Sequence, residues 1–248
     1  MSKKALAWLA STLVVCALSP SVARAADESL AFNVGAVSDY RYRGISQTQL
    51  EPALQGGIDL SLPHGVYFGT WASTIKWIDT FGGDSNVELD LYGGWKGDVG
   101  AGLTLDVGAL RYQYFEAVTP EWTANGFANP STTELYAALS YAMVTLKYSH
   151  SMSNLFGTPK SKSSGYLDLS ASFDVYDGWM LAPHVGHQAV KNNDPFSYTD
   201  YSLAVSKDFS GLVPSLAVVG TDADKALYTW DGKKVGKTGV VLGVKYNF

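Results

Sequence analysis

The sequence predicts an all-β fold: a transmembrane antiparallel up-and-down β-barrel of twelve strands. Three observations predict it. Apolar and polar residues alternate along most of the chain, the connections alternate between short and long, and the last amphipathic segment closes on an aromatic residue, Phe248. Composition agrees. Of 248 residues 46% are hydrophobic, 13% aromatic and 17% charged, against roughly 25% charged in an average soluble domain. This much aromatic residue argues against disorder. A formal net charge of −5 gives no basic footprint for nucleic acid, which is not expected as a partner.

The first 25 residues read as a cleaved signal peptide. Lys3 and Lys4 precede an apolar run from Ala5 to Leu18, and Ala23-Arg24-Ala25 has the small-x-small form of a cleavage site. The remaining 26–248 reads as one barrel domain. It contains no cysteine, since Cys16 lies in the leader, and it keeps 15 basic against 23 acidic side chains. An exported chain without disulfides draws its stability from elsewhere. No run of 18 apolar residues follows, so no membrane-spanning helix is expected.

Period-2 alternation marks strands with one apolar and one polar face. Leu30, Phe32, Val34 and Ala36 alternate with polar or small residues, as do Leu54, Ile58, Leu60 and Leu62, then Val87, Leu89 and Leu91, and later Leu167, Leu169, Ala171, Phe173 and Val175. Twelve such segments fall at 29–42, 52–62, 65–78, 86–96, 101–115, 133–141, 143–153, 165–176, 178–191, 198–209, 212–222 and 238–248. In the fifth, Leu103, Leu105, Val107 and Ala109 share one face before Leu110, Tyr112 and Tyr114 take the other, which predicts a β-bulge near 109–110. Connections 43–51, 79–85, 116–132, 154–164, 192–197 and 223–237 are the longer or more polar ones. Those between them are short turns such as Asp177-Gly178, a strong hairpin signal.

Alternating loop lengths separate two all-β folds. A sandwich has loops of similar length at both ends; an outer-membrane barrel has an even strand number, short turns at one end and long loops at the other. Strands of nine to fourteen residues also suit a tilted bilayer crossing, and closure leaves no unpaired edge in lipid. In the last strand Val240, Leu242, Val244, Tyr246 and Phe248 share a face. Tyr246 and Phe248 form the candidate signal for the barrel-assembly machinery, an expected partner beside outer-membrane lipid. Trp71, Trp77, Trp95, Tyr112, Tyr114, Tyr141, Tyr148, Trp179, Tyr201, Tyr246 and Phe248 cluster toward strand ends and are expected as headgroup girdles.

The stretches SDYRYRGISQTQLEPALQGGIDL, GTWAST, ELDLYGGWKG and DVGALRYQYF resemble the TorF-like family of porins, outer-membrane proteins otherwise of unknown function. The resemblance implies an outer-membrane barrel that forms a pore. It brings no catalytic residues with it.

Barrel enzymes that act on lipid need a His and a Ser on the same outward face. The nearest match, His150-Ser151-Met152-Ser153, puts both serines opposite His150, so an enzyme is not expected. His64, His150, His184 and His187 are scattered, with His184 and His187 on opposite faces of one strand. No metal site or cofactor is expected from them, and Asp222, Asp224 and Asp231 read as solvated loop acids rather than cation ligands.

The candidate functional residues are lumen charges. Parity places Asp39, Asp59, Glu88, Asp90, Asp106, Glu134, Asp168, Asp174, Asp200 and Asp208 inward, with Arg41, Arg43, Lys76, Lys96, Arg111, Lys147 and Lys245. Ten acids face seven bases, a mild acidic excess. The expected function is a passive pore for small hydrophilic solutes or ions in a Gram-negative outer membrane. Arg41 and Arg43 are expected near its outer mouth, facing Asp39. The alternative is a non-conducting structural barrel, because eight-stranded barrels are filled by side chains, sixteen to eighteen strands leave a channel, and twelve lie between.

Overall fold

A computed structural model describes residues 28–248; the leader assigned to 1–25 lies outside them. Twelve antiparallel strands form a closed barrel: β1 (Ser29–Val37), β2 (Ala53–Ser61), β3 (Val66–Thr74), β4 (Val87–Gly100), β5 (Leu103–Gln113), β6 (Thr132–Tyr141), β7 (Val144–Ser151), β8 (Gly165–Ala171, resuming as Phe173–Tyr176), β9 (Trp179–Ala189), β10 (Tyr198–Lys207), β11 (Leu212–Thr221) and β12 (Gly239–Asn247). Each strand pairs with the next, and β1 closes the circle on β12 with Val34 opposite Tyr246 and Ala36 opposite Val244. The two pieces of β8 keep one register against β9 across the break, with Ser170 opposite His184 and Phe173 opposite Leu181, and the register shifts between Asp174 and Tyr176.

Alternation sorts the side chains. Leu30, Leu54, Leu91, Leu139, Leu203 and Val240 are exposed on the outer wall. Their neighbours along each strand point inward. In lipid this exposure is the expected state, since a bilayer solvates an apolar wall and closure pairs the backbone. Both described ends of the chain and all the short turns lie at one end of the barrel. The long connections lie at the other.

The structure corrects four sequence expectations. β1 ends at Val37 rather than 42, because the chain turns inward after it. No bulge occurs at 109–110: β5 keeps one register against β4 and β6 there, and the shift falls between Asp98 and Gly100. Leu110, Tyr112 and Tyr114 stay on the inner face, where all three are buried. Trp71, Trp77, Tyr112 and Tyr114 are therefore interior residues, not girdle residues; Tyr141, Tyr148, Trp179, Tyr201, Tyr246 and Phe248 are exposed on the outside. Lys76 and Arg111 leave the inward set. Lys76 lies beyond β3, exposed, beside Glu51. Arg111 shares parity with the outward Val107 and hydrogen-bonds Gln113 and Thr133 near the strand's end.

Candidate functional site: the lumen and its cap

The connection after β1 does not extend from the barrel. It folds down into it. Arg41–Tyr42 and Ile45–Ser46 make a tiny hairpin whose tip is Arg43-Gly44. Both tip residues are left-handed, with φ 45° and 78°. A side chain at 44 would also collide: its Cβ would lie 2.8 Å from Cβ of Asp200, as well as against Thr221. Glycine there lets the tip press against the wall formed by β10 and β11.

Polar groups hold this hairpin. Arg41 pairs with Asp39 and donates to the carbonyls of Gly44, Val235 and Lys237 at 3.0, 2.9 and 3.1 Å. Ser46 donates to the same Asp39. Arg43 crosses the lumen. Its Nη2 donates to Glu134 of β6 at 2.7 Å, its Nη1 donates to Gln188 of β9, and its guanidinium lies 4.1 Å over the Tyr166 ring of β8. A planar cation matched to a carboxylate, an amide and an aromatic face is what arginine does better than lysine.

Aromatic residues fill the space around it. Tyr40, Trp71, Ile75, Trp77, Ile78, Leu110, Tyr112, Tyr114 and Trp122 form one buried cluster. Two short helices contribute, α1 (Trp77–Thr80) and α2 (Pro120–Ala124). Thr119 caps α2 by accepting from Trp122 N at 3.0 Å, and Trp122 Nε1 donates to the Ala128 carbonyl at 2.7 Å. Glu88 is buried among these rings and accepts from Tyr40 and Tyr114 hydroxyls. Asp90 is buried beside it on β4, opposite Trp71 and Tyr112 in the sheet. The loop end of the lumen is thus a packed cap in which Glu88 is satisfied by two hydroxyls while Asp90 Oδ1 is buried without a hydrogen-bond partner.

A clamp ties the cap's surface. Glu51 bridges Lys233 and Lys76, joining the connections after β1, β3 and β11. Hydrogen bonds from Lys233 and Lys76 hold its carboxyl at about 2, down from the ordinary 4.5. A lowered folded value contributes stability above the ordinary value, and that contribution fades as pH falls from 4.5 toward 2. Amide exchange of segments 47–53 and 229–234, corrected for its intrinsic pH dependence, is expected to accelerate across that window. Glu51→Gln should reproduce the acceleration at neutral pH. Equal protection at pH 6 and pH 3 would remove the clamp from the account.

The turn end differs. Lys96, Asp106, Lys147 and Lys245 point inward and remain partly exposed. Asp59 is the buried exception and accepts from the Tyr92 hydroxyl. The Tyr67 hydroxyl donates to Asp106 at 2.6 Å, and Lys147 Nζ sits 4.2 Å from the Tyr136 ring centre. Asp174 and Asp208 sit at the turns themselves, accepting from Gly178 N and Gly211 N. Of the sequence-proposed set, Asp39, Arg41, Arg43, Glu88, Asp90 and Glu134 therefore meet in the cap, while Asp59, Asp106 and Lys147 line the open half and Asp168 sits nearer the loop end of β8, against His184. Tyr246 and Phe248 stack edge-on at 4.9 Å outside, where Phe248 N donates to Phe32 O at 2.9 Å.

His184 is a residue that sequence reasoning passed over. It faces inward on β9, with Nε2 against Asp168 of β8 at 2.5 Å and Nδ1 3.6 Å from Asp200 of β10. Shared parity on three consecutive strands is the signal that would have found it. Ser170 and Ser202 lie directly opposite it, yet Ser170 Oγ donates to Asp168 at 3.1 Å instead. With both ring nitrogens turned to carboxylates, the cluster reads as an ionic brace and not as an activated nucleophile. In the loops, Asp222 and Asp224 accept backbone N–H groups from Thr199, Ala226 and Leu227.

This geometry defines a class, a closed twelve-stranded antiparallel β-barrel with inward polar residues. The chain belongs to the family described as "Bacterial protein of unknown function (Gcw_chp)", which matches residues 23–248. The TorF-like name suggested by its motifs is not part of that description. No curated protein matches the sequence. Among solved structures, the "KdgM porin" is similar with a TM-score of 0.54 at 8% identity, covering 88% of this chain and 99% of that one. The "NanC porin" is similar at 0.54 and 10% identity, covering 89% and 99%. At these identities the likeness is one of fold.

Proposed function

We propose that the chain is an outer-membrane channel for small hydrophilic solutes or ions, capped from the outside by the hairpin at 39–47. The observation that carries this is the charged, partly exposed lining of the turn-end half, with Lys96, Asp106, Lys147 and Lys245 all aimed inward. Burying unsolvated charge is costly, so a barrel with only a scaffolding task would gain by filling that half with apolar side chains. Water-filled, the same residues stay solvated and bias passing ions.

Selectivity then belongs to the open half. Replacing Asp59 and Asp106 with asparagine is expected to move the reversal potential toward anions in a salt gradient. Replacing Glu88 and Asp90 is expected to move it less, because both lie inside the cap. A larger shift from the second pair would place the conducting path elsewhere.

The second reading is a non-conducting structural barrel, favoured by the Arg43 bridge that spans the lumen. Planar-bilayer recording of the folded protein distinguishes the two.

Tyr246 and Phe248 remain the proposed assembly signal. Phe248 is 69% exposed on the barrel wall, so its removal costs the folded state little. Deleting it is expected to cut membrane yield in cells while leaving the unfolding temperature of detergent-refolded protein nearly unchanged. Normal membrane yield would refute the signal.

A further inference from the structure

The outer wall carries a groove of about 280 Å³ at the loop end of β7, β8 and β9. Tyr148, Leu167, His187 and Ala189 wall it, and Lys191 and Asp194 stand at its rim. Leu167 sits at its centre, opposite Tyr148 on β7 and His187 on β9. These three share the outward face with Leu146, Leu169 and Val185, which are exposed toward lipid. Gly165 lets the Tyr148 ring lie over the strand at this groove: a Cβ there would lie 2.6 Å from the Tyr148 hydroxyl.

Two loops bring positive charge to the same rim. Lys191 N donates to Ser164 Oγ at 3.0 Å, Asn192 Nδ2 to the Lys160 carbonyl at 2.9 Å, and Asn193 Nδ2 to the Pro159 carbonyl at 3.0 Å. Segment 190–193 is thereby stitched to 159–164. Lys191 lines the groove, Lys160 and Lys162 are exposed on the loop stitched to it, and Asp194 is the single acid in either loop. His187 adds a ring whose Nδ1 meets Thr199 Oγ1 at 3.1 Å.

We propose that this groove is a lipid site that takes the phosphate-bearing headgroup of an anionic membrane lipid. The three lysines meet the phosphate, and an acyl chain runs down past Leu167 and Leu169. Two arguments choose this occupant. Three cations against one anion complement a phosphate, as basic clusters at a membrane surface do. The groove is also continuous with the apolar wall that faces lipid, so an acyl chain reaches it without leaving the bilayer. The proposal rests on the membrane barrel and not on conduction.

Native mass spectrometry of the folded, delipidated protein tests it. The probes are dimyristoyl phosphatidic acid, dimyristoyl phosphatidylcholine and inorganic phosphate, each added alone. Phosphatidic acid is expected to stay bound to a greater extent than either of the others. The triple variant K160Q/K162Q/K191Q should lower its bound fraction at least about fivefold, a single lysine near a membrane surface being worth about that factor. The control K225Q/K234Q/K237Q alters exposed lysines of another loop and should leave binding unchanged. Gel mobility before and after boiling establishes that each variant is folded. Equal retention of phosphatidylcholine, equal adducts with inorganic phosphate, an unaffected triple variant, or the same loss in the control would each overturn the proposal.

Discussion

Arg43→Ala is expected to loosen the cap and open the lumen. The side chain is buried and bridges β6 and β9 through Glu134 and Gln188. Removing it leaves Glu134 and Gln188 without their partner in a dry interior. Breaking a buried ion pair from one side costs about 3–5 kcal/mol, several times the value of an exposed pair. That cost falls on the cap, because every barrel strand keeps both of its neighbours without Arg43. The variant should therefore still resist unfolding by detergent unless boiled, yet digest faster within 38–52 and conduct more than the parent. Arg43→Met with Glu134→Leu should recover much of the protease resistance, since a matched apolar pair leaves no orphaned charge. If Arg43→Ala is as resistant and as closed as the parent, the bridge does not hold the cap.

Trp122→Ala is expected to have the second large effect. The ring is 0% exposed and packs edge-on against Trp77 at 6.0 Å, with Phe127 at 4.8 Å. Truncating a buried tryptophan costs about 3–5 kcal/mol through lost transfer energy and the cavity left behind. It also frees the Ala128 carbonyl from Nε1. The connection 114–131 should lose protection while the strands do not. Amide exchange separates the outcomes: faster exchange confined to 75–86 and 114–131 supports a cap that folds on the barrel, and a global loss would mean that the cap is needed for closure.

The strand pattern was legible because period 2 is local. A lipid face must be apolar at every second residue, and that requirement can be read along each strand without knowing its neighbours. Whether the opposite face meets water is not local. Leu110, Tyr112 and Tyr114 look like a switch of face, and reading them as one invites a bulge at 109–110. They are an apolar stretch of the inner face instead, matched to Trp77 and Trp122 from distant loops. The same error of face put Arg111 inside. Lys76 went wrong because the strand ends at Thr74, where parity stops carrying meaning. Arg43 reaching Glu134, 91 residues away, depends on which strands the inward hairpin meets across the lumen. Alternation cannot supply that information.

A polar lumen closed from one end by an inward hairpin should open when the hairpin is removed, and single-channel recording of a chain lacking it reads this directly. β1 and β2 are adjacent strands, so a short Gly-Ser linker replacing 39–47 spans neighbours only about 5 Å apart. The parent protein should pass small or intermittent currents. The shortened chain, shown to be folded by its gel mobility, should pass a steady current several times larger. A folded, shortened chain that stays silent would contradict the account and leave a non-conducting barrel.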